Sequence, residues 1–249
     1  MRIGEYELLE VVGEGATGIV YRAAGDVAVK VLRDPDPVLV RRFRREARLA
    51  QSLTSRHIVP ILDVGDDFVV MPFYERGSLA GALPLSVEQL IRVAAEIAQA
   101  LDVLHTAGIV HRDVKPSNVL LGSHGAMVGD FGLARGADST KLTRDGQLLG
   151  TAHYLAPELI EGAPATPASD VYAFACLLYE AATGAPPFAG RPDVEVGYAH
   201  LVEEPPEPDL PPRLAEAILS GLAKDAAHRP TTATALARML HLGYRSAPA

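Results

Sequence analysis

The sequence predicts an α+β molecule of two lobes: a small antiparallel five-stranded lobe carrying one main helix, then a larger, mainly helical lobe. Three observations predict it. Short Val- and Leu-rich runs separated by glycine turns fill much of residues 6–72. Helix-period apolar stripes with recognisable caps fill most of the chain beyond Ser86. Between them, Pro72-Phe73-Tyr74-Glu75-Arg76-Gly77-Ser78 follows neither period and reads as a linker.

Residues 6–13, 18–24 and 27–32 read as three antiparallel strands, with Gly25-Asp26 as the tight turn before the third. From Pro37 to Leu53 the pattern is helical, with Phe43, Ala47 and Ala50 on one face and the arginines mostly on the others. Strands near 59–64 and 68–72 complete the first lobe. Ser86 and Gln89 form a capping box ahead of a long helix whose stripe is Leu90, Val93, Ala94, Ile97, Leu101 and Leu104. Gly108 suits its C-terminal cap. Further helices are expected near 157–161, 168–183, 193–202, 212–224 and 231–241. Gly184 with Pro186-Pro187 stops the second of these, and Pro205 to Pro212 is a loop. The organisation expected is one domain over 1–249: first lobe 1–71, hinge 72–77, second lobe 78–243 and tail 244–249.

Composition narrows the function. With 48% apolar residues among 249, the chain can bury a real core. Acidic residues outnumber basic ones 31 to 23, a balance of −8 that argues against nucleic acid or an anionic membrane as the main partner. The single cysteine, Cys176, lies in an apolar run, so neither a disulfide framework nor a zinc cluster is expected, and a reducing, cytoplasmic setting fits. The most apolar stretch, Val171 to Ala182, is too short to cross a bilayer and contains Glu180. No membrane segment is therefore expected within these residues, and tethering through regions outside the chain is left open.

The chemistry concentrates in His111-Arg112-Asp113-Val114-Lys115-Pro116-Ser117-Asn118 and in Asp130-Phe131-Gly132. Two carboxylates, an ammonium and an amide on loops suit phosphoryl transfer, which needs charge and alignment more than covalent chemistry. Asp113 would orient a hydroxyl, Lys115 would neutralise charge, and Asn118 with Asp130 would hold magnesium. Upstream, Gly13-x-Gly15-x-x-Gly18-x-Val20 is set between strands, where a glycine hairpin can lay backbone N–H groups over phosphates. Lys30 ends the alternating Val27-Ala28-Val29-Lys30 and shares a face with Ala28, the face such a hairpin would cover. Glu46 is the sole acid among the five arginines of Arg41 to Arg48. Its spacing with Phe43, Ala47 and Ala50 turns it inward, where it needs a cation.

These motifs, in this order, resemble the protein kinase superfamily, in particular the bacterial relatives of eukaryotic-type Ser/Thr kinases, over nearly the whole chain. The resemblance implies the two-lobed kinase fold, ATP with Mg2+ (Mn2+ as a substitute), and transfer to Ser and Thr hydroxyls of proteins. It makes Asp113 the proton acceptor, Asn118 and Asp130 the metal ligands, and Lys30 with Glu46 an ion pair of the active state. Lys115 is typical of Ser/Thr rather than Tyr kinases, and Ala156-Pro157-Glu158 closes the activation segment. Asp170 resembles the aspartate that braces the catalytic loop, Arg229 the partner of Glu158, and His111 a structural residue packed on Phe131. ATP would also meet Gly13, Gly15, Gly18, Val20, Ala28, Met71 and Leu120, with the Pro72 carbonyl and the Tyr74 N–H on the adenine.

Leu133 to Leu155 would be the activation segment, modified by the chain itself, through self-association where one copy acts on another. Thr143 is the first choice of phosphosite and Thr140 the second, with Arg112 placed to grip the phosphate. Thr151 resembles a threonine that contacts the catalytic Asp and Lys, and is a regulatory candidate after those two. Gly129, Ala175 and the segment Lys224 to Arg229 depart from the common pattern. Two other readings stand beside this one. A kinase-like scaffold usually lacks Lys30, Asp113 or Asp130, and a small-molecule phosphotransferase on the same fold usually lacks Lys115 and the Ala156-Pro157-Glu158 segment; all are present.

Overall fold

The computed structural model describes residues 1–15, 18–33, 37–130 and 152–245. The first lobe is an antiparallel sheet of β1 (Arg2–Ile3), β2 (Tyr6–Gly15), β3 (Gly18–Ala23), β4 (Val27–Leu32), β5 (Asp63–Val64) and β6 (Phe68–Pro72), in the order β1-β2-β3-β4-β6-β5. That is six strands where the sequence predicts five. The extra one pairs Arg2 with Glu7 and Ile3 with Tyr6 across a turn at Gly4, whose φ of +55° favours a residue without Cβ. The expected strand at 59–64 shortens to Asp63–Val64. Pro60 has no N–H for a ladder, and the Val59 N–H donates to the Val128 carbonyl of the second lobe at 2.9 Å.

Register decides which side chains share a face. Val20 lies opposite Lys30, and Ala28 opposite Met71. Cross-strand partners point the same way, so all four stand on one side of the sheet. Val20, Ala28 and Met71 adjoin the main core there, while Val29 and Val70 turn to the other side with Leu8 and Ala23. Helix α1 (Pro37–Gln51) presses Phe43, Ala47 and Ala50 into the main core. Burying Phe43 completely contributes about 2–3 kcal/mol.

The second lobe is built on α2 (Val87–Thr106). Its capping box is present: the Gln89 N–H donates to Ser86 Oγ at 3.3 Å and the Ser86 N–H to Gln89 Oε1 at 2.9 Å. The helix ends at Ala107, with Gly108 following at φ +74°. Then come α3 (Pro157–Ile160), α4 (Pro167–Thr183), α5 (Asp193–Val202), α6 (Pro212–Gly221) and α7 (Ala233–Arg245). Helix α4 is buried nearly all round and stops at Gly184, φ +88°. Helix α7 starts after Thr232, whose Oγ1 accepts the Ala235 N–H at 3.0 Å, and a second cap comes from elsewhere in the chain. Asp102 of α2 accepts the Ala233 and Thr234 N–H groups at 3.2 and 3.3 Å.

A hairpin that the sequence reading lacks, β7 (Val119–Gly122) and β8 (Gly125–Val128), follows α2. It is anchored where the Ala126 N–H donates to Glu96 Oε2 at 2.7 Å. Two of the unusual residues find their reason in close packing. A Cβ on Gly129 would lie 3.1 Å from Val59 Cγ2, so glycine suits the passage beneath the first lobe. Ala175 faces Gly221, where an added Cβ would stand 2.6 Å from the Ala175 methyl; the small residue has moved to the partner helix.

Candidate active site

The loop 111–118 is shaped from below by Asp170, in the first turn of α4 and 1% exposed. Its carboxylate accepts the His111 N–H at 2.7 Å, the Arg112 N–H at 2.9 Å and the His105 Nε2–H at 2.8 Å. Those bonds offset the strain of Arg112, which sits at φ +67°. His111 is wholly buried, and its two nitrogens are committed. Nε2–H donates to the Gly129 carbonyl at 3.0 Å, and Nδ1 accepts the Asp113 N–H at 3.2 Å. Burial lowers its pKa below the usual imidazole range against the upward pull of Asp170, Asp113 and Asp130, so the ring is a neutral strut.

Asp113 projects from this braced loop. Its Oδ2 lies 3.0 Å from Lys115 Nζ and accepts Asn118 Nδ2–H at 3.0 Å. The same amide also donates to the Asp113 carbonyl at 2.7 Å. Asn118 in turn ties the loop to the next one, since its carbonyl accepts the Gly129 N–H at 2.9 Å. One residue on is Asp130, at φ +56°, whose Oδ1 is 2.8 Å from Lys30 Nζ on β4. Lys30, Asp130, Asn118, Asp113 and Lys115, separated by up to 100 positions in the chain, thus form one connected polar network between the lobes. The glycine hairpin runs beside it, with Val20 opposite Lys30 in the β3–β4 ladder. Gly18 is obligatory there, because a Cβ would fall 2.2 Å from the Val31 carbonyl oxygen.

A family model for the protein kinase domain matches residues 6–240 of the chain. The chain belongs to the protein kinase family. The serine/threonine-protein kinase PknB of Mycobacterium leprae is 38% identical over 255 residues, covering 92% of this chain and 41% of that protein. The DNA damage-responsive serine/threonine-protein kinase RqkA of Deinococcus radiodurans is 40% identical, covering 97% of this chain and 40% of that protein. This kinase domain therefore spans about two fifths of the length of these curated relatives. Among solved structures, the Mycobacterium tuberculosis PknI kinase domain superposes with a TM-score of 0.76 at 26% identity, covering 98% of each chain.

One contact expected of the active state is not the one this structure shows. Lys30 does not pair with Glu46; it is held by Asp130. Glu46 Oε1 instead takes Arg42 Nε, one turn earlier on α1, at 3.1 Å and lies 3.7 Å from Arg112 Nη1. Its Oε2 is buried without a hydrogen bond. The inward carboxylate did need a cation, and two arginines supply it before the lysine does. The brace at the far end matches expectation: Arg229 makes two 2.8 Å bonds to the Glu158 carboxylate and donates to the Ala168, Ala223 and Lys224 carbonyls.

The nucleotide-pocket candidates fall around the same cleft. Gly13 pairs with Val20 and Gly15 with Gly18 at the hairpin, and Met71 closes the β4–β6 row beside Ala28. In the linker, the Tyr74 N–H has no acceptor among the described residues. The Tyr74 ring packs over Gly122, beside Leu120 on β7. Phe131, Ser139, Thr140, Thr143 and Thr151 lie outside the described residues. The sequence reading missed His105, which bonds Asp170 from α2, and Glu96, which holds the β7–β8 hairpin.

The oxygen donors present fit a hard divalent cation. Asn118 spends its amide hydrogens on Asp113, which leaves carbonyl Oδ1 as its donor, and Asp130 adds a carboxylate. No helix among the described residues is long and apolar enough to cross a membrane.

Proposed function

We propose that this chain transfers the γ-phosphoryl group of ATP to Ser and Thr hydroxyls of proteins, its own activation segment among them, as a signalling enzyme. The observation that carries this reading is the polar network from Lys30 through Asp130 and Asn118 to Asp113 and Lys115. It gathers in one cleft the charges that phosphoryl transfer requires. Asp113 accepts the proton of the attacking hydroxyl, held in line by Asn118 and by the His111–Asp170 brace. Lys115, already beside Asp113, offsets charge gathering on the transferred group. Asn118 Oδ1 and Asp130 would hold Mg2+, or Mn2+ in its place, which when bound supplies positive charge at the phosphate oxygens.

Nucleotide binding replaces the Lys30–Asp130 contact: Lys30 turns to the phosphates, and Glu46 exchanges its arginines for Lys30. Adenine lies between Val20, Ala28 and Met71 above and Leu120 below, its edge on the Pro72 carbonyl and the Tyr74 N–H. Gly13, Gly15 and Gly18 let the hairpin backbone approach the phosphates. Thr143, then Thr140, then Thr151 are the candidate regulatory sites, and Arg112 receives the phosphate. On this reading residues 1–249 are one domain with lobes 1–71 and 78–243, hinge 72–77 and tail 244–249. It works in a reducing cytoplasm, where the buried Cys176, its thiol pKa raised by burial, stays inert.

The test is intact mass after incubating dephosphorylated protein with Mg-ATP, run beside Asp113→Asn, followed by Ser, Thr and Tyr peptides and small-molecule acceptors with labelled ATP. Mass gains in steps of one phosphate in the wild type alone, with label on Ser and Thr peptides, support the reading. An unchanged wild-type mass with no labelled peptide sinks it.

A further inference from the structure

Helix α5 turns Val196, Ala199 and His200 inward. Its opposite side presents Val194, Tyr198 and Val202, spaced i, i+4, i+8 and 67%, 61% and 58% exposed. That is one continuous apolar stripe, about 12 Å long at 1.5 Å per residue. Acidic groups bound it: exposed Glu195 on the helix, and Glu204 and Glu207 just past its end. Helix α1, on the other lobe, shows the complementary pattern. Its outer face carries exposed Arg41, Arg45 and Arg48, with Leu49 at one end. Arg42 and Arg44 have acidic partners, but these three have none among the described residues.

From this we infer that the α5 stripe docks a second copy of this chain, by the outer face of its α1. Three arginine stems would lie along Val194, Tyr198 and Val202, with a guanidinium stacked on the Tyr198 ring and the others reaching the acids at the rim. Tyrosine and arginine are the side chains that carry most energy at such contacts. The charges also reject the alternatives: α1 against α1 sets arginine on arginine, and α5 against α5 sets acid on acid. The contact is heterologous, since the two faces differ and stand on different lobes, so each copy keeps one face of each kind for a neighbour. Two short helix faces bury less than the ~1,200 Å² of a stable complex, so the association is weak and concentration-dependent. The inference does not depend on the proposed catalysis, and its test reads mass rather than activity.

The test uses sedimentation velocity on the whole chain from about 1 to 200 μM, a range that brackets a micromolar Kd. Wild type should associate progressively, and less at about 0.5 M salt than at about 0.05 M. One variant, Arg41→Gln with Arg45→Gln and Arg48→Gln, loses the basic face. Another, Val194→Gln with Tyr198→Gln and Val202→Gln, loses the stripe. All six positions are exposed, and thermal unfolding checks that each variant is folded. Each alone should stay monomeric, while an equimolar mixture should form a 1:1 dimer and nothing larger, because one intact face of each kind remains. A monomeric wild type across the range overturns the inference. So does either variant associating by itself, or a mixture of folded variants that stays monomeric.

Discussion

His200 gives a pH dependence that can be worked out from its surroundings. The ring sits edge-on to Tyr172 and Phe188, with centroids 5.6 and 5.1 Å away, and its Nδ1 is hydrogen-bonded to the Tyr172 hydroxyl at 2.7 Å. Lys224 Nζ donates to the His200 carbonyl at 2.8 Å. Burial first, then the positive charges of Lys224 and His153, push the imidazole from 6.5 down to about 3. The folded protein keeps the ring neutral above that value, whereas the unfolded chain takes up a proton near 6.5. Protons bound by the unfolded state alone favour unfolding, so the stability is complete above about pH 7 and is lost as pH falls through 6.5 toward 3. At about pH 5 the loss is RT ln(1 + 10^1.5), about 2 kcal/mol. His200→Asn removes the titration and keeps an acceptor for Tyr172. Urea unfolding at about pH 8 and pH 5 should show the variant losing about 2 kcal/mol less than wild type between the two. In melting experiments the same difference is roughly 4–8 °C for a chain of this size. Equal acid losses in both proteins would refute a buried neutral imidazole at position 200.

Gly221→Ala should cost about 1–3 kcal/mol, since its methyl would meet Ala175 Cβ at 2.6 Å and Leu236 at 3.0 Å; adding Ala175→Gly should recover most of that loss in a denaturant double-mutant cycle. Glu158→Ala should destabilise by about 3–5 kcal/mol, because the Arg229 guanidinium is fully enclosed and would be left without its counter-charge; a change below about 1 kcal/mol would contradict that. Asp170→Asn places an amide donor against N–H donors, so the 111–118 loop should lose its geometry. Phosphate transfer should fall at least about tenfold, while ATP affinity, read by calorimetry, stays within about twofold.

Much of this was legible because the signals were local. The α2 capping box, the αL glycine after α4 and the α1 stripe each rest on residues within a turn or two, and each stands where the sequence placed it. The grouping of Asp113, Lys115 and Asn118 was legible because the three lie within six residues of one another. What escaped was non-local. Nothing near Glu46 says that Arg112, 66 positions later, will come within reach of its carboxylate. The start of α7 is capped locally by Thr232 Oγ1, but Asp102, which takes the Ala233 N–H from 131 positions away, could not be read from the sequence nearby. The β7–β8 hairpin was within reach: Ser123-His124 separates two apolar tetrads flanked by glycines, but the strands are too short to impose alternation. The extra strand β1 hides in two residues that gain meaning only through the turn at Gly4.

Asn118 joins two segments that would otherwise drift independently. Its main chain fastens the stretch leading to Asp130, while its side chain fastens Asp113. The spacing between the two acids is therefore set through one residue rather than by two separate scaffolds. A side-chain exchange at this position would free Asp113 while the main-chain tie to Gly129 stayed in place, so the two acids would lose their fixed separation without either loop losing its path.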